Sequence, residues 1–200
     1  LITLVVIGVI AALTVTVALQ NHRKQEVVTR LKHASSLLMQ ANSKAFLDYG
    51  DANKDREGFT ANDPDAALEM FNKYYVPYIS FVKVEKGEKG VWGYLANGSI
   101  LYFRRTYWNG QQNWANTYLV VCINKKAKDK INENDNYSWG GNGKDSFLFY
   151  TTGTVPTYTF GHNTREQRLE SCKNHTSVEA CTALIFEAGW QIPDDYPIGI

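Results

Sequence analysis

The first nineteen residues of this 200-residue chain carry no charged side chain, and fifteen of them are apolar. The first charges are Arg23 and Lys24. A helix of nineteen residues is about 28 Å long, close to the thickness of the hydrocarbon core of a bilayer. A secretory signal carries a basic stretch, a shorter apolar core and a cleavage site. Because this run is longer and charged sequence follows it directly, we expect a membrane anchor or an assembly helix.

The rest of the chain has the composition of one polar globular domain. Its 181 residues hold all 41 charged side chains, 21 basic and 20 acidic, and are enough for one compact core. The combination of the hydrophobic run with this polar domain excludes intrinsic disorder and a wholly cytosolic enzyme, and the lack of a basic excess gives no sign of nucleic-acid binding. We therefore predict an assembly helix over residues 1–50 and a globular head over residues 51–200.

The sequence after the apolar run indicates that the helix continues. Between Gln20 and Tyr49 there is no Pro or Gly, and Gly50 follows, where helices commonly end. Apolar residues recur at intervals of three and four, which places them on one face of a helix. This stripe consists of Val27, Leu31, Ala34, Leu38, Ala41, Ala45 and Tyr49. The pattern predicts one helix of about 50 residues, roughly 75 Å long, whose C-terminal half packs against the head.

Five short segments of the head have the apolar composition or alternation typical of strands. They are Ser80–Glu85, Val91–Leu95, Ser99–Arg104, Tyr118–Ile123 and Phe147–Thr151. Asn97-Gly98 predicts a tight hairpin between the second and the third, since both residues tolerate a left-handed backbone. The fold class is therefore α+β: a long N-terminal helix with a four- to five-stranded, mostly antiparallel sheet packed on its C-terminal half.

Capping residues and polar stretches predict the helices and loops of the head. Asn62-Asp63-Pro64-Asp65 is a typical helix start, with a capping side chain and Pro in the first turn, and it predicts a short helix to Tyr75. Residues 106–116 and 125–144 are expected to be long polar loops. Residues 180–188 fit either a short helix or a strand.

The N-terminal run also resembles a known family. Leu4-Val5-Val6-Ile7-Gly8-Val9-Ile10-Ala11-Ala12-Leu13 is similar to the N-terminal helix of type IV pilins and type II secretion pseudopilins, and the glycine followed by Ala-Ala is its most specific part. Residues 20–32 resemble a pilin-like bacterial subgroup, as do Gly143–Phe147, Cys181–Ile185 and Gly189–Pro197. The resemblance is strong over residues 1–45 and fair at the C-terminal end.

This resemblance implies a pilin-like fold and a homopolymer built through the first helix. The residues that it places in the filament core are Leu4, Val5, Ile7, Gly8, Ile10, Ala11, Ala12 and Leu13. The small ones among them let neighbouring helices approach closely. When the chain is aligned with the family in this way, the family's N-terminal glutamate, which follows the cleavage site, would lie before Leu1. Prepilin processing is therefore an expectation. Thr16 stands where the family has a helix-kinking proline, and we expect the helix to stay continuous in the filament.

The three cysteines divide into a pair and a single residue. Cys172 and Cys181 enclose eight residues in a polar stretch that we expect to be irregular. In an exported chain a disulfide is the leading interpretation, and it would hold the C-terminal segment in place. Cys122 lies inside a predicted strand and is expected to be a buried free thiol.

No pattern of catalytic or metal-binding residues stands out. The four histidines are scattered without zinc-ligand spacing, and there is no phosphate-binding glycine loop or nucleophile motif. Asp51–Asp55 resembles the first half of a calcium loop but lacks its glycine and its closing glutamate. Residues 132–135 could gather a cation, although a solvated loop is the simpler interpretation. We expect no enzyme activity, no cofactor and no metal.

Aromatic residues crowd into residues 92–118. Those on strands alternate between the two faces of a sheet, so about half belong to the core. Tyr107, Trp108 and Trp114 lie in a predicted loop, where exposed aromatic side chains commonly mark contacts. We predict contact with the next subunit, and binding of a sugar or a surface is the alternative.

These patterns predict a structural subunit of a type IV pilus-like filament, held in the inner membrane before assembly and then displayed at the cell surface. The resemblance implies a prepilin peptidase, a platform protein and an assembly ATPase as partners. One alternative is a periplasmic pseudopilin of a type II secretion system. Another is a membrane-anchored module that binds glycan or protein. A simple anchor is favoured by Arg23, Lys24, Arg30 and Lys32, since basic residues beside a membrane span favour the cytoplasmic side.

Overall fold

One long helix dominates the computed structural model. Helix α1 runs without a break from Ile2 to Tyr49, about 72 Å at 1.5 Å per residue. It ends at Gly50, whose φ of 76° suits glycine and whose N–H is donated to the carbonyl oxygen of Phe46. The structure describes residues 2–50, 61–105, 117–134, 141–150, 164–176 and 179–200, with residues 2–14, Arg105, Thr117 and Tyr150 described by their backbone alone.

A five-stranded antiparallel sheet forms the head, in the order β1-β2-β3-β4-β5. The strands are β1 (Lys83–Lys86), β2 (Val91–Tyr94), β3 (Ile100–Arg105), β4 (Thr117–Cys122) and β5 (Ser146–Tyr150). The predicted α+β class is confirmed. Strand β1 starts three residues later than predicted, because the chain is still turning after the second helix: the N–H groups of Tyr78 and Ile79 both bond to the carbonyl of Tyr75.

Helix α2 (Pro64–Tyr74) begins where the sequence predicted a cap. The Asp63 carboxylate accepts from the N–H groups of Asp65 and Ala66 at 2.9 and 3.2 Å, and Pro64 occupies the first turn. The hairpin between β2 and β3 is also present: Gly98 has a φ of 82° and donates its N–H to Leu95.

Three helices correct or complete the loop assignments made from sequence. The predicted loop 125–144 begins with one helical turn, α3 (Lys125–Lys128), because the Asn124 side chain caps it by accepting from the N–H of Ala127. The stretch around the two cysteines is not irregular, since it contains the end of α4 (Arg165–Asn174) and the start of α5 (Glu179–Glu187). Helix α5 resolves the open choice for residues 180–188.

Side chains alternate between the two faces of the sheet, and apolar clusters bury both faces. The inner face packs against α1 and α2, with the core residues Leu101, Phe103, Leu119, Val121, Phe147 and Phe149. The outer face forms a second cluster with α3, made of Trp92, Ile100, Tyr102, Tyr118, Val120, Cys122, Ala127 and Leu148. Residues 51–60 and the predicted loop 106–116 lie outside the described residues.

Candidate assembly surface

The C-terminal half of α1 is an integral part of the core of the head. Six of the seven residues of the apolar stripe are fully buried: Val27, Leu31, Ala34, Leu38, Ala41 and Ala45. The seventh, Tyr49, is 39% exposed and meets the ring of Tyr74 edge-on, with the centroids 5.1 Å apart. Fixed in this way over five turns, α1 cannot move independently of the sheet.

Below Val27 the same helix stands clear of the described part of the head. Every residue from 15 to 23 is exposed, which covers more than two full turns of the helix. Val15, Val17 and Leu19 are 55%, 57% and 64% exposed. These three apolar side chains, which no described element of the head covers, are suited to burial in lipid or against another molecule.

The residues predicted to pack in the filament core continue this free segment toward the N-terminus. Leu4 to Leu13 lie outside the residues whose side chains are described, and the backbone there is helical. Within the described part of the chain no helix is both long and apolar enough to cross a membrane.

Two polar contacts fix the end of the head that lies nearest to the free helix. The guanidinium of Arg30 donates to the carbonyl oxygen of Ile123 at 2.5 Å and pairs with Glu26 at 2.8 Å. One turn further on, the His33 ring nitrogen Nδ1 lies 3.2 Å from the Asn97 amide. The β2–β3 turn and the end of β4 therefore both rest on α1 at residues 30–33.

At the other end of the head, the predicted disulfide joins Cys172 on α4 to Cys181 on α5, with the Cα atoms 4.9 Å apart. Gly143 packs directly against it: a Cβ at this position would lie 2.5 Å from the sulfur of Cys181. Tyr196 donates its hydroxyl to the carbonyl oxygen of Gly143 at 2.6 Å, and burial raises the pKa of Tyr196. Residues from the C-terminal segments that resemble pilins therefore meet in one cluster.

Removing the disulfide is expected to destabilise the head. A cross-link that closes a loop of nine residues contributes about 2.5 kcal/mol by restricting the unfolded chain. The Cys172→Ser/Cys181→Ser variant should lose that amount in chemical unfolding followed by tryptophan fluorescence. Cys122→Ser removes the third cysteine and serves as a comparison. If the double variant and the untreated wild type unfolded at the same denaturant concentration, the bond would contribute nothing.

The carboxylate of Glu133, which is partly buried, joins the 131–134 segment to the β1–β2 turn. Glu133 accepts from the indole N–H of Trp92 and the hydroxyl of Tyr102, both at 2.8 Å, and from the N–H groups of Glu88 and Lys89 at 2.8 and 3.0 Å. The rings of Trp92 and Tyr102 stack with their centroids 4.2 Å apart. Burial raises the pKa of Tyr102. Glu133 therefore holds the turn, in a segment for which the sequence suggested either a cation or a solvated loop.

Arg104 extends this network into the core. It is fully buried; its Nε and Nη2 donate to the Asn62 side chain at 3.0 and 2.8 Å, and its Nη1 donates to the Glu133 carbonyl at 2.9 Å. Burial lowers the pKa of Arg104. Among the described residues no group of three or more His, Cys, Asp or Glu side chains could hold a metal.

Glu85 on β1 is the centre of a surface cluster. Its carboxylate accepts from the Lys83 ammonium and the Tyr94 hydroxyl, and from the Lys128 ammonium at 3.0 Å. The hydrogen bond from Lys83, followed by that from Tyr94, lowers the pKa of Glu85 from 4.5 to about 2.

This low pKa predicts a pH dependence of stability. Because the folded pKa lies below the unfolded one, the stabilisation is complete above pH 4.5 and is lost as the pH falls toward 2. Glu85 is partly exposed, so we expect it to contribute only about 1 kcal/mol after solvent screening. Urea unfolding of wild type and Glu85→Gln should differ by this amount at pH 6, and the difference should shrink by pH 3. A difference independent of pH would contradict the assignment.

Two other sequence predictions concern single side chains. Cys122 is a fully buried free thiol on β4, and burial raises its pKa, so it is unreactive in the folded head. Tyr107, Trp108 and Trp114 lie outside the described residues, so their contact role stays a prediction.

Comparison with known proteins gives one match. Residues 17–200 match a family of unknown function (DUF6613). The chain belongs to this family. No curated protein and no solved structure matches it.

The DUF6613 match begins within the free part of α1 and continues to the last residue. It therefore includes the exposed residues 17–23, the stripe that enters the core, the Glu133 network and the disulfide cluster. Residues 17–23 of the free helix and the head therefore belong to one family unit.

Proposed function

We propose that this chain is a structural subunit of a type IV pilus-like filament and polymerises through α1. The observation that carries the proposal is the exposed apolar surface that Val15, Val17 and Leu19 form on α1, on a helix that continues to Ile2 and is fixed in the head from Val27 onward. Because α1 and the head cannot move separately, the packing of α1 in a polymer would also fix the position of the head.

The assembled state replaces one apolar environment with another. Residues 1–19 would lie in the inner membrane before assembly and would be covered by the helices of neighbouring copies afterwards. Gly8, Ala11 and Ala12 would allow close approach of those helices. Each Val or Leu side chain that becomes fully covered contributes about 1.5–3 kcal/mol. The work is mechanical, and it requires no catalytic group or cofactor.

Partners follow from the same proposal. A prepilin peptidase, a platform protein and a cytoplasmic ATPase would process and extrude the subunit, as the resemblance implies. The heads would form the outer surface of the fibre, with Tyr107, Trp108 and Trp114 as candidate contacts between them.

A single charge in the free helix is expected to reduce fibre formation strongly. Leu19→Glu places a carboxylate where the proposal requires an apolar contact, which costs several kcal/mol and should lower the yield of fibres at least tenfold. Val82→Glu is the matched control, because Val82 is 72% exposed on the head. The measurement is negative-stain microscopy of material sheared from producing cells, with the chain identified by immunogold labelling.

Three outcomes separate the candidate functions. Long fibres that contain the chain, lost in Leu19→Glu and kept in Val82→Glu, support a pilus. Chain that stays in the periplasm and forms only short oligomers supports a secretion pseudopilin. Chain that remains monomeric in the membrane, unaffected by Gly8→Leu, would overturn polymerisation and support an anchored binding module.

A further inference from the structure

The junction between α1 and the head carries five basic side chains that have no ion pair or hydrogen bond within the described part of the chain. They are Arg23, Lys24, Lys32, Lys125 and Lys126. Most basic side chains elsewhere among the described residues have a partner. Ion pairs hold Lys83, Lys86, Lys128, Lys130, Arg165 and Arg168. We call the five unpaired residues, Arg23, Lys24, Lys32, Lys125 and Lys126, the basic collar.

The two lysines of α3 belong to this end of the head because of how α3 begins. Ile123, two residues before the start of α3, accepts the hydrogen bond from Arg30 on α1. Helix α3 therefore starts beside α1. Ala127 is buried against the sheet and Lys128 pairs with Glu85. Lys125 and Lys126 are left exposed to solvent.

Nearby acidic groups leave the collar with a net positive charge. Glu26 pairs with Arg30 at 2.8 Å, and Asp145 pairs with Lys130 at 2.6 Å. Asp129, at the end of α3, is exposed and is the acidic residue closest to the two lysines in the chain. The unpaired charges are therefore five positive against one negative in this part of the described structure.

The height of the collar along α1 places it at a bilayer surface. Arg23 follows the last residue of the uncharged run, Leu19, by about 6 Å, and Arg30 follows it by about 16 Å. The headgroup layer adds about 5–7 Å beyond the hydrocarbon, and charges are felt over a Debye length of about 8 Å. A usual helix tilt of about 20° and the length of the lysine side chain bring the ammonium groups of Lys125 and Lys126 within range of the headgroup charges.

We propose that the basic collar binds the anionic headgroups of phospholipids and holds the head against the membrane before assembly. This inference rests on the proposed insertion of α1 and adds a second partner at the same helix, the charged surface of the bilayer. Leu19 and the residues before it would supply the apolar insertion, and the collar would set how the head lies. Extraction into a fibre would release these lipid contacts.

The test uses the full chain inserted into vesicles of phosphatidylcholine, with or without phosphatidylglycerol. A fluorophore on Asn132→Cys, an exposed residue near α3, reports contact with nitroxide-labelled headgroups, while Cys122 is buried and does not react. We expect strong quenching only in the anionic vesicles and its loss in concentrated salt. Lys125→Gln/Lys126→Gln should lower the ratio of docked to undocked heads roughly tenfold.

The matched control removes two other exposed lysines. Lys44→Gln/Lys173→Gln changes the net charge equally, away from the collar, and should leave quenching unchanged. Equal quenching in neutral and anionic vesicles, or an equal effect of both double variants, would overturn the collar as a lipid-binding surface. Flotation of the vesicles separately reports insertion, so a chain that does not float would refute the proposed membrane state instead.

Discussion

Leu38→Ala is expected to lower the free energy of unfolding of the head by about 3 kcal/mol, although the substitution lies on the helix proposed for assembly. Leu38 is fully buried in the cluster that α1 shares with α2 and the sheet. Truncating a buried leucine removes apolar contacts and leaves a cavity, which costs about 2–5 kcal/mol. Chemical unfolding of the full chain in mild detergent, followed by tryptophan fluorescence, measures the change.

The control for this experiment lies nine residues away on the same helix. Leu47 is 81% exposed, so Leu47→Ala removes little buried surface and, since Ala favours helix, should change stability by less than about 0.5 kcal/mol. The pair separates packing from helix propensity because the substitution is identical. Similar losses from both variants would mean that the C-terminal half of α1 is not part of the core.

Glu133→Ala is expected to cost about 3 kcal/mol, more than an ordinary surface substitution. It removes the acceptor for two buried side-chain donors, Trp92 and Tyr102, and for two N–H groups of the β1–β2 turn. A buried donor left without a partner costs about 1–3 kcal/mol. The same unfolding experiment measures the loss, and amide hydrogen exchange should show faster exchange at Glu88 and Lys89.

Glu69→Ala is the matched control, since Glu69 is an exposed glutamate on α2. Its loss should leave both stability and exchange near the wild-type values. If exchange at the turn were unchanged in Glu133→Ala, the carboxylate would not be what holds the turn in place.

Periodic features of the sequence predicted the fold well, because burial in this chain follows periodicity. Intervals of three and four residues located the buried stripe from Val27 to Ala45, and apolar runs located the strands. The disulfide was predicted from the spacing of Cys172 and Cys181 together with the expectation that the chain is exported. Each of these signals lies within one short segment of the chain.

Features without a local apolar pattern were not predicted from the sequence. Helix α4 is strongly polar, and its signal was the capping box in which Thr164 and Gln167 each bond the other's backbone N–H. The role of Glu133 could not be read from sequence, because its partner Trp92 lies 41 residues away. The buried Arg104 likewise depends on Asn62, 42 residues before it.

The central claim is that the free helix is covered by other copies of this chain. A cryo-electron microscopy reconstruction of sheared fibres tests it most directly, because it locates Val15, Val17 and Leu19 relative to neighbouring subunits. We expect α1 to stay helical and these three side chains to pack against the α1 helices of other copies. A fibre in which they face solvent, or a chain found only as single copies in the membrane, would contradict the claim.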